Sequence, residues 1–205
     1  SFFSKDLLSV SRDGKCGLIK MTGEVVVPAL YEAVGPASGG LRAVRSGGKY
    51  GYINEKGTMV IPAVYEKAGN FCDGLAPVRI HHKYGYIDPE GTVVIPVTFD
   101  SALDFSEGLA GVKIGRTWGF IDTKGTIVIP PTYDSVKSFD HGLSAVELDG
   151  KYGFIDTTGR RVTDIIYGDL ERFSDRFWRV RIYGERGWRD AKHGLVDVRR
   201  KIAMP

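Results

Sequence analysis

GKYGYINEKGTMVIPAVYEKAGNFCDGLAPVRI occupies residues 48–80, HKYGYIDPEGTVVIPVTFDSALDFSEGLAGVKI residues 82–114, and RTWGFIDTKGTIVIPPTYDSVKSFDHGLSAVEL residues 116–148. The three stretches align without a gap at a period of 34 residues, and Gly17, Gly51, Gly85, Gly119 and Gly153 mark five copies in phase. Helix-pair repeats also have this period. The composition excludes them, because each copy spends several glycines and a proline, and in a helix interior these cost about 1 and about 3 kcal/mol each. The apolar runs are short and β-branched (Val25-Val26-Val27, Val93-Val94-Ile95, Ile127-Val128-Ile129) and are bounded by turn residues, which is the pattern of strands.

Each copy holds three short strands. In the copy at 48–80, strand one is Tyr50–Ile53, and the turn Asn54-Glu55-Lys56-Gly57 follows it. An Asx side chain opening a turn that closes on glycine is ordinary turn chemistry. Strand two, Thr58–Ile61, is expected to stop at Pro62, which has no N–H to give a ladder. Strand three, Leu75–Ile80, joins the next copy through a two-residue hairpin, as Gly47-Gly48, Asp13-Gly14 and Asp149-Gly150 do elsewhere.

The longest connection then runs from the proline to a recurring phenylalanine (Phe71, Phe105, Phe139, Phe173). The structural unit becomes a meander of strands three, one and two. Six meanders result within a single repeat domain, 1–205, at about 3–28, 37–62, 71–96, 105–130, 139–164 and 173–205, the last atypical. The repeated glycines are read as backbone freedom, the prolines as strand ends, and Ile, Val and Leu as core.

The chain has 205 residues and 42% hydrophobic content, enough to bury a sizeable core. It has no apolar run long enough to span a membrane as a helix. Cys16 and Cys72 do not make a disulfide framework, which favours a cytosolic-type redox setting. The missing initiator Met leaves open an exported fragment whose upstream segment has been removed. Compartment is otherwise unknown.

Net charge is +3, unevenly spread: residues 151–205 hold 13 of the 28 basic side chains and 8 of the 25 acidic ones. The excess lies where the period fails. Arg176-Phe177-Trp178 replaces the Gly74-Leu75-Ala76 of another copy, and the following hairpin is longer and carries Tyr183-Gly184-Glu185-Arg186-Gly187-Trp188-Arg189. Two explanations stand side by side. Terminal repeats are atypical because one face lacks a neighbour, so bulky side chains here would form a cap. Trp, Tyr and Arg are also the residue types enriched at binding hot spots. The candidate partner-binding residues are Arg176, Phe177, Trp178, Arg179, Arg186, Trp188 and Arg189.

Catalytic chemistry has no visible carrier. His81-His82 occupies a hairpin, His141 and His193 fall at variable positions, and no metal or phosphate-loop motif occurs. No catalytic residue, cofactor or metal site is expected, and Asp88, Asp122, Asp156 and Asp197 are sufficiently explained by turns.

Trp118-Gly119-Phe120-Ile121-Asp122, with Gly125, the Ile129-Pro130-x-x-Tyr133-Asp134 segment and Gly142-Leu143-Ser144-Ala145-Val146, resembles the WG (KWG) repeat family of bacterial proteins. The resemblance covers essentially the whole chain, although Tyr50, Tyr84 and Tyr152 replace the tryptophan of that name. It implies a bacterial source and a role in protein interaction, and it brings no catalytic residues.

The expectation is therefore an all-β chain of six three-stranded meanders, with a propeller-like ring preferred over an open superhelical stack. Because Val93-Val94-Ile95 is apolar on both faces, each sheet is expected to lie between neighbours. In function it reads as a non-catalytic protein-binding scaffold, of which an immunity or accessory protein that occludes a partner is one version. Two alternatives remain. One is a module for cell-surface glycan that uses Tyr50, Tyr84, Trp118 and Tyr152. The other is anion or nucleic-acid binding through the Arg- and aromatic-rich segment 172–189.

Overall fold

The computed structural model describes residues 7–184, 187–197 and 202–204, with side chains for 7–183 and 191–197. The described residues form strands and turns and no helix. Contacts divide the chain into two compact units, 1–105 and 106–205, and the division falls where the fourth expected meander begins.

The first unit holds three antiparallel sheets. One is β1 (Leu7–Arg12), β2 (Lys15–Lys20) and β3 (Val25–Tyr31). The next is β4 (Ala33–Ser38), β5 (Leu41–Ser46), β6 (Lys49–Ile53) and β7 (Met59–Tyr65). The third is β8 (Lys67–Ala68), β9 (Ala76–Ile80), β10 (Lys83–Ile87) and β11 (Val93–Phe99), and β12 (Ser101–Ala102) follows it. The second unit contains β13 (Leu109–Ile114), β14 (Thr117–Asp122) and β15 (Ile127–Tyr133), then β16 (Ser135–Val136), β17 (Leu143–Leu148) and β18 (Lys151–Asp156). Its last sheet is β19 (Asp169–Arg172), β20 (Phe177–Gly184), β21 (Gly187–Asp197) and β22 (Ile202–Met204).

The strands were largely legible; their ends were not. Strand two does not stop at proline. β7 runs through Pro62 to Tyr65, with Tyr52 opposite Ile61 and Tyr50 opposite Tyr65, so the ladder slips by a bulge around the proline. β7 is an edge strand, and the missing N–H of Pro62 faces no partner there. One residue past Tyr65 the chain enters the next sheet as β8, a short strand absent from the three-strand reading.

The bulge explains the founding glycines, and corrects the reading of them as conformational freedom. A Cβ on Gly119 would stand 2.4 Å from the Ile129 carbonyl oxygen and 2.7 Å from the Pro131 nitrogen, and Gly17, Gly51 and Gly85 meet the same backbone just as closely. None of these has a positive φ. They are glycine because the bulged outer strand rests on them. Gly57, by contrast, has φ +80° and closes its turn in the left-handed region.

The same edge strands are less enclosed than their apolar runs imply. Val93 and Val94 are 45% and 46% exposed while Ile95 is buried. The outer strand has a ladder neighbour on one side only, so its apolar residues are not all enclosed between sheets.

An aromatic pair recurs from copy to copy. Tyr52 meets Phe71, Tyr86 meets Phe105 and Phe120 meets Phe139, each at 4.8 Å between centroids and inclined by about 60°. Such tilted pairs are worth about 0.5–1.5 kcal/mol beyond the area they bury. The two tyrosines also donate their hydroxyls, Tyr52 to the Gly69 carbonyl at 2.9 Å and Tyr86 to the Leu103 carbonyl at 2.8 Å.

The turns after strand one behave as their sequence implies. The Asp122 carboxylate accepts from the N–H groups of Lys124 and Thr126, Asp156 from those of Thr158 and Arg160, and Asn54 makes the same two bonds uncharged. The hydrogen bond from Thr126 holds Asp122 below the usual carboxylate range, and Thr158 does the same for Asp156. A depressed folded value contributes stability that is present above the unfolded value of about 3.9 and lost as pH falls through the folded one. The double variant Asp122→Asn/Asp156→Asn should keep both turns and flatten this limb. Its melting temperature should fall less than the wild type's between about pH 5 and about pH 2.

Candidate functional site

The last sheet is built around the residues that break the period. In the other copies the phenylalanine after the connection fills the ring position against the preceding sheet, and Phe71, Phe105 and Phe139 are each no more than 3% exposed. The corresponding Phe173 is 56% exposed. Its place against Phe154 is taken by Trp178, at 5.9 Å and 64°. In the three preceding copies the side chain at this position is small (Ala76, Ala110, Ser144) and cannot reach the neighbouring ring as the indole does, while the earlier Arg42 turns to the Gly35 carbonyl instead.

The arginines of this sheet have partners. Arg176 donates from Nε and Nη2 to Asp197 Oδ2 at 3.0 and 2.7 Å, and the Asp197 side chain is only 1% exposed. That hydrogen bond raises the Arg176 pKa above its usual value. Arg179 pairs with Glu171 at 3.0 Å and covers the Phe173 ring at 5.0 Å. Arg181 pairs with Asp169 at 3.0 Å, and Arg172 pairs with Asp140 while lying 5.4 Å from the centre of the Trp178 indole. A guanidinium whose carboxylate is already in place has less to offer an incoming anion.

The long hairpin is an extension of two strands, β20 and β21, with Gly184 opposite Gly187 and a register shift after Ile182. Its entry is equally specific. An acid stands at the corner between sheets in the earlier copies (Glu32, Glu66, Asp100, Asp134), where Glu32, Glu66 and Asp134 accept from a hairpin N–H. Gly168 replaces it in the last copy because a Cβ there would lie 2.2 Å from the Tyr183 ring.

Of the candidate residues, Arg176, Phe177, Trp178 and Arg179 come together at the start of β20, with the Arg176 guanidinium 4.9 Å from the centre of the Phe177 ring. Arg186 lies outside the described residues, as do the side chains of Trp188 and Arg189. Phe173, recognised as a recurring phenylalanine but left out of the candidate residues, is the one that sequence reasoning missed. The available signal was the bulk of Trp178 where the three preceding copies have Ala76, Ala110 and Ser144.

A partly enclosed cavity of about 160 Å³ lies between β16–β18 and the last sheet. Tyr152 and Trp178, both half-buried, contribute to its wall together with Glu147, Asp169, Lys137 and Ser135. Burial, and then Glu147, which accepts the Tyr152 hydroxyl, push the Tyr152 phenol up. Elsewhere Tyr50, Tyr84 and Trp118 are also half-buried. Both cysteines are free thiols. His81 and His82 sit in a hairpin with φ of 46° and 64°, and no group of metal-ligating side chains occurs among the described residues.

No curated protein matches this chain in sequence. Among solved structures, a eukaryotic initiation factor has a TM-score of 0.58 at 12% identity, covering 95% of this chain and 61% of that one, so the chain spans about three-fifths of its length. KlHsv2 with loop 6CD replaced by a Gly-Ser linker has a TM-score of 0.55 at 8% identity, covering 90% and 79%. Both are propeller-like. The extracellular domain of a hybrid two component system from B. thetaiotaomicron has a TM-score of 0.50 at 12% identity, covering 94% and 32%. At these identities the likeness is one of fold. The model of the WG containing repeat matches five times in succession, at residues 17–50, 50–84, 84–117, 118–152 and 152–184, and the chain therefore belongs to the WG repeat family.

Proposed function

We propose that this chain is a non-catalytic scaffold that binds a protein partner through the start of its last sheet, with Phe173, Phe177 and Arg179 at the centre of contact. The observation that carries the reading is the exposure of Phe173. Its three equivalents are buried, so a large ring has been released to the surface at one place in the repeat. Around it stand Arg176 and Arg179, each held by a carboxylate and each covering an aromatic ring. Fixed aromatic and arginine side chains with little conformational freedom left to lose are what binding hot spots are made of. The paired arginines favour this over nucleic acid, whose phosphates would have to displace Asp197, Glu171, Asp169 and Asp140. The same reading takes the sheets as blades of a propeller-like ring, supported by the likeness to propeller-like structures.

Capture of partner from the native host by the immobilised chain tests the proposal. Phe173→Ser should abolish capture with an unchanged melting curve, and capture by wild type should persist in high salt. Equal capture by wild type and Phe173→Ser would refute it.

A further inference from the structure

The cavity behind the last sheet differs in its lining from the cleft at the same place in an earlier copy. Three periods earlier, the corresponding cleft has Tyr50 as its aromatic, with the Arg45 guanidinium 5.9 Å from the ring centre. At Tyr152 that arginine is replaced by Glu147, and Ala76 is replaced by Trp178. Both changes act in the same direction. Removing the arginine takes a guanidinium away from the tyrosine ring, and adding the indole supplies a second aromatic wall. That wall is held by Phe154 at its edge and by Arg172 over its ring.

The polar groups around the space alternate in kind. Glu147 and Asp169 bring acceptors, and Lys137 and Ser135 bring donors; with Asp169 already paired to Arg181, Glu147 and Lys137 are left as one charge of each sign. Asp169 is anchored by Arg181 at 3.0 Å, which fixes the direction in which its remaining lone pairs point. Such a rim suits a neutral ligand whose own groups both donate and accept. A cation or an anion would meet opposition from one half of it. Size narrows the class further. An engineered cavity of about 150 Å³ takes one benzene ring, so about 160 Å³ accommodates one six-membered ring and no more.

We propose that the cavity between Tyr152 and Trp178 binds a single pyranose unit, with its apolar ring face against the aromatic walls and its hydroxyls on Glu147, Asp169 and Lys137. This site is separate from the protein-binding surface at Phe173, and either can fail without the other. Chain length beyond one sugar would have to lie outside the cavity.

The test is saturation-transfer NMR of the whole chain with phenol as a control and four sugar probes: the methyl pyranosides of glucose, galactose, mannose and N-acetylglucosamine. At least one should bind saturably in the millimolar range. Glu147→Gln and Lys137→Met, which should melt as the wild type does, should each weaken that binding by about tenfold, the effect of one lost charged hydrogen bond. Phe173→Ala should leave it unchanged. No saturable binding of any of the four would overturn the proposal, and so would binding that both rim variants leave intact. Saturable binding of phenol with none of the sugars would make the cavity an apolar ring site and overturn it equally.

Discussion

Gly119→Ala is expected to destabilise the protein by about 3 kcal/mol, although it adds one methyl group and alanine is the commoner choice in a strand. The new Cβ would stand 2.4 Å from the Ile129 carbonyl oxygen and 2.7 Å from the Pro131 nitrogen. Both are backbone atoms of the neighbouring strand and have no rotamer by which to escape. The strand must lift away, and the ladder that joins Trp118 to Tyr133 and Phe120 to Ile129 goes with it. Gly108→Ala is the control. That glycine has φ +79° and open space around it, so alanine there costs only the left-handed strain of about 1–2 kcal/mol. Urea unfolding of the two variants separates them. If Gly108→Ala proves the more damaging, close approach is not what holds the repeated glycine in place.

Phe139→Ala should cost about 3–5 kcal/mol, the range for truncating a buried phenylalanine. The ring is 2% exposed and meets Phe120 at 4.8 Å, at the joint between two sheets. Phe120, the ring it packs against, is itself buried and held in place. Phe139→Leu should recover much of the loss by filling volume without restoring the tilted ring contact. The difference between the two variants measures packing, and the residual loss in Phe139→Leu bounds the aromatic contribution at about 0.5–1.5 kcal/mol.

Much of this architecture could be read from residues. The 34-residue period, the Asx turns at Asn54, Asp122 and Asp156 and the hairpins at Gly47-Gly48 and Asp149-Gly150 are local, and local chemistry is visible in a sequence. The outer strands were cut short because Pro62 and Pro130 look like strand ends. On an edge strand proline merely sits in a bulge, and nothing in the run Ile61-Pro62-Ala63 says which edge it occupies. The function of Gly51 and Gly119 was misjudged for a related reason, since the crowding atoms come from a strand ten residues further on. At the candidate site, Arg176, Phe177, Trp178 and Arg179 were legible as a departure from the repeat. The exchange of Trp178 for Phe173 was not, because it depends on which of two rings reaches Phe154 first in space. The carboxylate partners of the arginines were equally hidden: Asp197 and Arg176 are 21 residues apart and meet only across the hairpin.

Guanidinium unfolding of Phe173→Ala beside Trp178→Ala tests that exchange of rings. Trp178→Ala, which removes a half-buried ring packed on Phe154, should lower stability by about 2 kcal/mol. Phe173→Ala should stay within about 0.5 kcal/mol of wild type, as surface substitutions do. The reverse pattern, a costly Phe173→Ala beside a neutral Trp178→Ala, would mean that Phe173 fills the ring position as its three equivalents do, and would contradict the account.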